Sequence, residues 1–171
     1  MNFRRALFFI GLLVFGVVVA QFYGTRATSD APSDVVERAA SAPRADVEYL
    51  TPFGAPTRPF SPAVRVGEVL YLSGQVGTDA AATANAVVPG GIEAETRQTL
   101  SNIKRTVEAA GSSMDKVVKC TVMMADMAEW DRMNVVYREF FTPGKLPARS
   151  AFGTSGLALN ARVEIECIAT R

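Results

Sequence analysis

The sequence predicts an α+β domain: a single mixed β-sheet with two helices packed on one face. Three observations carry this. Two segments, near residues 92–110 and 129–140, repeat apolar or small residues at helical spacing. Short β-branched or alternating runs stand before, between and after them. The resulting order, ββ–α–β–α–ββ, lets both helices cover the same side of one sheet.

Residues 63–66 and 69–73 flank Gly67 and Glu68, a two-residue hairpin turn. Residues 75–90 read as a long loop of Ala, Thr, Asn and Pro. From Ile92, the residues Thr96, Leu100, Ile103, Val107 and Ala110 share a helical face, and Gly111 supplies the stop. Residues 117–124 are rich in β-branched side chains and read as a strand. Asp126 and Glu129 have capping-box spacing and open a second helix, with Trp130, Met133, Tyr137 and Phe140 facing inward until Thr142, Pro143 and Gly144 end it. Residues 148–152 and 162–170 complete the sheet. In the last strand Val163 to Ile168 alternate, so Glu164 and Glu166 share a face opposite Cys167. That second face also needs cover, which predicts an oligomer with sites between protomers. Cys120 and Cys167 fall on the apolar side with Val118, Val122 and Val163 or Ile165; buried free thiols are the expectation, and a disulfide requires their strands to be neighbours.

Composition removes several kinds of chemistry. The 171 residues contain no histidine, which excludes His-dependent nucleophile relays and the commonest transition-metal ligand. Two widely separated cysteines without histidine do not make a zinc site, so no metal or cofactor is expected. From Asp46 onward 13 Lys and Arg stand against 14 Asp and Glu, and no basic block appears; nucleic acid is not an expected partner.

The N-terminal residues 1–23 carry an address. Arg4 and Arg5 precede an unbroken apolar run over 6–20, and Gln21, Phe22, Tyr23 and Gly24 follow. A basic flank before an apolar run reads as an export signal. Val18 and Ala20 offer a small-residue cleavage site before Gln21. Alternatively, residues 6–23 lie near the lower limit of about 17–25 residues for a spanning helix, with Tyr23 at the interface. The expectation is an uncleaved inner-membrane anchor, with the membrane as a partner and the domain in the periplasm or outside. Residues 24–47, rich in Ala, Ser, Pro and Asp, read as a flexible linker, and 48–171 as the folded domain.

Residues 147–169, PARSAFGTSGLALNARVEIECIA, hold the chemistry. Arg149 sits in a mainly apolar and small-residue stretch, keeps its proton, and presents a planar fork of donors that fits a carboxylate two-pronged. Glu164 and Glu166 follow closely. A fixed cation with an acid nearby suits a small anionic substrate; the same pair also suits an interface salt bridge.

This block, with YLSGQVG at 71–77, ETRQTLSNIKRTVEAAGSSMDKVVKCTV at 95–122 and MNVVYREFF at 133–141, resembles the RidA (YjgF/YER057c/UK114) family. The resemblance covers roughly residues 59–171, with the segments in the family's order. It implies a chorismate-mutase-like fold and a homotrimer with sites between subunits. It also implies hydrolytic deamination of 2-imino and 2-enamino acids, of the 2-aminoacrylate and 2-iminobutanoate type, to 2-oxo acids and ammonia without a cofactor. It aligns Arg149 with the family's carboxylate-binding arginine and Glu164 with its acidic residue. Ser73 and Asn134 match two positions lining the pocket. Glu164, or a backbone carbonyl, would orient water toward the imine carbon. Two substrate-binding positions depart from the pattern: Phe60 stands where many members have tyrosine, and Ala151 where many have cysteine. A reading from another class is a non-catalytic trimer that binds a small carboxylate or a partner protein, holdase-like, at the membrane. RNA cleavage ranks after both.

Overall fold

The computed structural model describes residues 46–55, 57–79 and 86–171. Residues 1–45, with the anchor and signal-peptide alternatives and nearly all of the linker, lie outside the described residues. Among the described residues no helix is long and apolar enough to cross a membrane.

Among the described residues, seven strands and two α-helices follow in the order β1 (Val47–Leu50), β2 (Ala63–Val66), β3 (Val69–Leu72), β4 (Gln75–Val76), α1 (Gly91–Ala109), β5 (Val117–Met124), α2 (Trp130–Arg138), β6 (Ala148–Gly153) and β7 (Val163–Thr170). The strands form one sheet, ordered β1-β2-β3-β7-β5-β6, with β4 also paired to β7. Every pairing is antiparallel except β5–β6. That one parallel pair needs a crossover, and the chain makes it through α2.

Burial follows the two periodicities. On α1 the side chains of Ile92, Leu100, Ile103 and Val107 are fully buried, and positive-φ Gly111 follows the helix's end. They meet the inward row of β7, where Val163, Ile165, Cys167 and Ala169 are buried, and the Val122 and Met124 row of β5. α2 adds Met133 and Tyr137 to the same core. Both helices therefore cover one face. The other face carries Tyr49, Tyr71 and Phe152, which are 72%, 47% and 48% exposed.

The structure departs from the sequence expectations at five places. A strand forms at Val47–Leu50, pairing with β2 through Val47↔Val66; it is an exposed edge, so its burial does not alternate. Gln75 and Val76, expected in a loop, are drawn into the sheet because the buried amide of Asn102 donates to the carbonyls of Val76 (3.1 Å) and Thr78 (2.9 Å). Asp126 caps as expected, accepting the Ala128 N–H at 2.8 Å. Glu129, however, does not complete a capping box: it turns to Arg162, 2.7 Å away. The first turn is 3-10, and α2 ends at Arg138, before Phe140. Val118 is 48% exposed rather than inward, since a bulge between Val117 and Lys119 inserts an extra residue.

The fifth departure is covalent. Cys120 and Cys167 are directly paired across β5 and β7 and form a disulfide rather than two free thiols. Their separation of 47 residues makes the cross-link a constraint on the unfolded chain worth up to about 4 kcal/mol in the loop-entropy picture. Replacing both by alanine is expected to lower unfolding free energy by about 2–4 kcal/mol, read from the urea midpoint. An unchanged midpoint refutes a stabilising role.

Candidate active site

Arg149 stands on β6, the edge strand next to β5, in register with Cys120, which in turn faces Cys167. That row points to the helix side. Its guanidinium carbon lies 4.8 Å from the ring centre of Trp130 and 4.5 Å from that of Tyr137, both on α2. Trp130 and Tyr137 are two helical turns apart, and Asn134 falls between them on the same face. Asn134 is buried with Met133 and Tyr137. Ala151, two residues along β6, pairs with Val122 and packs against the core. Among the described residues the Arg149 guanidinium makes no ion pair or hydrogen bond; the two rings are its side-chain contacts.

Glu164 belongs to the opposite face. It pairs with Val76 of β4 on one side and Met123 of β5 on the other, and Met123 pairs with Phe152. The carboxylate thus stands in an apolar row. A Cβ at Gly74 would collide with its Oε1, so the glycine in SGQ is what makes room for the acid. No hydrogen bond or ion pair within the described residues engages the Glu164 carboxylate. Ser73, beside Gly74, donates its hydroxyl to the carbonyl of Ser61 at 2.7 Å. Phe60 precedes that serine and lines a cavity of about 220 Å³ with Phe53, Thr57, Arg58 and Pro62. Glu166 lies in the next row with Thr121, exposed.

One chain therefore holds two groups of the expected residues. Arg149, Asn134 and Ala151 gather on the helix side at the β6 edge; Glu164, Ser73 and Phe60 gather around β4, β7 and the 51–62 segment. Arg149 and Glu164 are two strands apart, about 10 Å across the sheet, as well as three rows apart along it, and on opposite faces. A single chain does not bring them onto one small molecule. The Trp130–Tyr137 pair and Gly74 were not singled out from the sequence as site residues. The aromatic pair read as core packing, because i, i+7 spacing is shared by every buried helix face.

The buried acids Glu95 and Glu129, and the half-buried Glu93, are structurally engaged. Glu95 accepts the Arg162 backbone N–H at 2.7 Å, and Glu129 accepts from the Arg162 guanidinium at 2.7 Å. Arg132 reaches Glu93 at 2.6 Å, which holds the Glu93 carboxyl below its ordinary range. This chain of ion pairs ties α1 and α2 to the start of β7. Among the described residues no cluster of three His, Cys, Asp or Glu side chains could hold a metal ion.

The sequence profile described as Endoribonuclease L-PSP matches residues 53–171. The chain belongs to this family, the RidA family. A mouse protein named 2-iminobutanoate/2-iminopropanoate deaminase is 42% identical over 113 residues, covering 66% of this chain and 82% of the relative. An Arabidopsis thaliana protein named Reactive Intermediate Deaminase A, chloroplastic, is 34% identical, covering 93% of this chain and 86% of the relative. The solved yeast structure titled YEO7 superposes with a TM-score of 0.67 at 30% identity, over 74% of this chain and 99% of that one. The E. coli YjgF gene product gives 0.63 at 32%, over 72% and 97%. The mixed sheet with two helices is the fold of these RidA-family structures.

The relatives correct the expected address. The Arabidopsis alignment extends well into the leader and spacer, and that protein's name places it in a chloroplast. A chloroplast-named relative matched over 93% of this chain overturns the expectation of export and an inner-membrane anchor, which rested on the leader's hydropathy and basic flank alone.

Tyr137 provides a pH signature of the helix-side group. Burial pushes its phenol up to about 12 from 10.0, with Arg149 opposing more weakly. Its Oη is buried without a hydrogen-bond partner. An acid whose pKa is raised by folding favours the unfolded chain once it ionises. Stability contributed by neutral Tyr137 should hold below pH 10 and fall as the pH rises toward 12. Alkaline denaturation curves of Tyr137→Phe should lose part of that decline; superimposable curves refute it.

Proposed function

We propose that the domain at 48–171 hydrolyses 2-imino and 2-enamino acids of the 2-aminoacrylate and 2-iminobutanoate type to 2-oxo acids and ammonia, as a homotrimer with sites between subunits. The names of the relatives support this chemistry. The observation that carries it is a pair of unengaged opposite charges. The Arg149 guanidinium and the Glu164 carboxylate each lack an ion-pair partner among the described residues.

Arg149 would bind the substrate carboxylate with two parallel hydrogen bonds. That fixes the imine carbon relative to the protein. Glu164, in its apolar row, would take a proton from water as the water oxygen bonds to that carbon. The proton would then pass to the nitrogen, and the carbinolamine would collapse to the 2-oxo acid with loss of ammonia. Ser73 and Asn134 would line the pocket, with Phe60 and Ala151 supplying apolar walls where many relatives have tyrosine and cysteine. None of these steps calls on a metal or cofactor. Since the two charges lie on opposite faces of one sheet, the site closes when β6 of one chain meets the Glu164 face of another. The exposed Tyr49, Tyr71 and Phe152 are apolar surface for that contact.

Light scattering of the full chain at micromolar concentration should give a trimer; a stable monomer defeats the shared site. With an amino-acid oxidase generating imines in situ and a semicarbazide trap, Arg149→Lys should lose about ten- to a hundredfold in kcat/KM. This matches the roughly 1.5–3 kcal/mol of a charge-assisted hydrogen bond. Arg149→Ala should lose more, and Glu164→Gln should lower kcat more than it raises KM. Refolding Arg149→Ala together with Glu164→Gln should restore about a quarter of the sites, because each mixed trimer rebuilds one from two intact halves. Wild-type rates in both Arg149 variants refute the role of the arginine, and no recovery on mixing refutes its sharing.

Gly74→Ala is a sharper test of Glu164. The added methyl group meets the end of a flexible side chain, so the fold should persist while the carboxylate is displaced. The expected result is a fall in kcat of at least about tenfold with little change in melting temperature. Unaltered kcat shows that the position of the carboxylate is immaterial.

A further inference from the structure

An arginine that must recognise a carboxylate faces two opposing demands. It has to be fixed, because a mobile guanidinium loses much of its advantage over lysine. It also has to keep its N–H donors and its charge available, which an ion pair with a neighbouring acid would occupy and neutralise. Arg149 satisfies both. Its guanidinium carbon is 4.8 Å from the Trp130 ring centre and 4.5 Å from the Tyr137 ring centre. Both lie within the roughly 6 Å over which a ring face attracts a cation. No guanidinium donor of Arg149 is engaged among the described residues.

We propose that Trp130 and Tyr137 are positioning residues, an aromatic clamp that holds Arg149 by its faces and leaves its N–H edge open for the substrate carboxylate. This rests on the reading of Arg149 as the carboxylate-binding group. The clamp is itself rigid. Both rings project from one face of α2, and Tyr137 is backed by Phe141, whose ring centre is 4.8 Å from its own. Below Arg149 the paired Cys120 and Cys167 fix β5 against β7. Tyr137 contributes its ring. The clamp also selects a planar, weakly hydrated cation. A lysine ammonium would retain the charge and lose the planar fork.

Trp130 is the sole tryptophan of the chain, so its emission reports the clamp directly. In the full-length protein, Arg149→Met should change the wavelength or intensity of that emission; identical spectra overturn the clamp whatever the catalytic result. The second measurement uses 2-oxobutanoate binding by calorimetry, together with KM and kcat for the imine generated in situ. Trp130→Leu and Tyr137→Leu should each raise Kd and KM by about three- to thirtyfold, the range of one cation–π contact. kcat should move by less than about twofold, because the carboxylate is bound alike in ground and transition states. Trp130→Phe and Tyr137→Phe, which keep an aromatic face, should stay within about threefold of wild type. A merely structural role would lower stability in the leucine variants without this KM-selective loss and without rescue by phenylalanine. Should Tyr137→Leu fail to fold, Trp130→Leu, at a half-buried position, decides alone. Wild-type Kd in Trp130→Leu overturns the clamp. If the wild type binds 2-oxobutanoate but never outruns spontaneous imine hydrolysis, the deaminase reading fails while the clamp is still decided by Kd. If it binds no 2-oxobutanoate, the clamp's role in carboxylate recognition fails.

Discussion

The strict alternation of β7 is the constraint on which the rest of the molecule depends. Its inward row, Val163, Ile165, Cys167 and Ala169, is sealed against the helices, and β3, β4 and β5 hydrogen-bond to its edges. Shifting that strand by one residue would bury Glu164 and Glu166 and expose the core row. Several contacts fix the register. The Glu95 carboxylate holds the Arg162 N–H at 2.7 Å where the strand begins, and the disulfide joins Cys167 to β5. The position of Glu164 is thus a consequence of the burial of its neighbours in the strand, and Gly74 completes it by leaving space where any side chain would intrude.

The same sheet keeps two charges apart. Within one chain Arg149 and Glu164 would neutralise each other if they met, and neither would remain for a substrate. Placement on opposite faces and different strands prevents this. The surrounding groups are consistent with that arrangement. Arg149 is held by aromatic faces rather than by a carboxylate, and Glu164 lies between Val76 and Met123 rather than beside a base. Of the acids that do pair, Glu93, Glu95 and Glu129 serve the junction of α1, α2 and β7. Charge in this fold is therefore divided between pairs that hold elements together and single groups left unengaged.

Membership of the RidA family and the names of its relatives bear on chemistry, whereas the geometry bears on how this chain would perform it. In the proposed site, with Phe60 and Ala151 as apolar walls, the polar groups would be few: one guanidinium, one carboxylate, an amide and a hydroxyl. Ser73 already donates its hydroxyl to the Ser61 carbonyl, which orients its oxygen as an acceptor. Catalysis by so small a set depends on position more than on the number of participating groups.

The sequence by itself determined the periodic parts. The helical spacing from Ile92 to Ala110, the β-branched run at 117–124 and the alternation at 163–168 report burial locally, and burial is what fixes these elements. It also carried the family motifs, and with them Arg149, Glu164, Ser73 and Asn134 as candidates. Only the tertiary structure decided what depends on elements distant in the chain. Gln75 and Val76 become a strand because Asn102 reaches them from α1. Cys120 and Cys167 join because β5 and β7 are neighbours in the required register. Trp130 and Tyr137 leave the anonymity of a core face because β6 brings Arg149 between them. The leader showed the opposite limit: its hydropathy was plain, but hydropathy alone does not encode an address. Periodicity is a local property and was legible; pairing across strands and faces is not, because it depends on which distant segments the sheet makes adjacent.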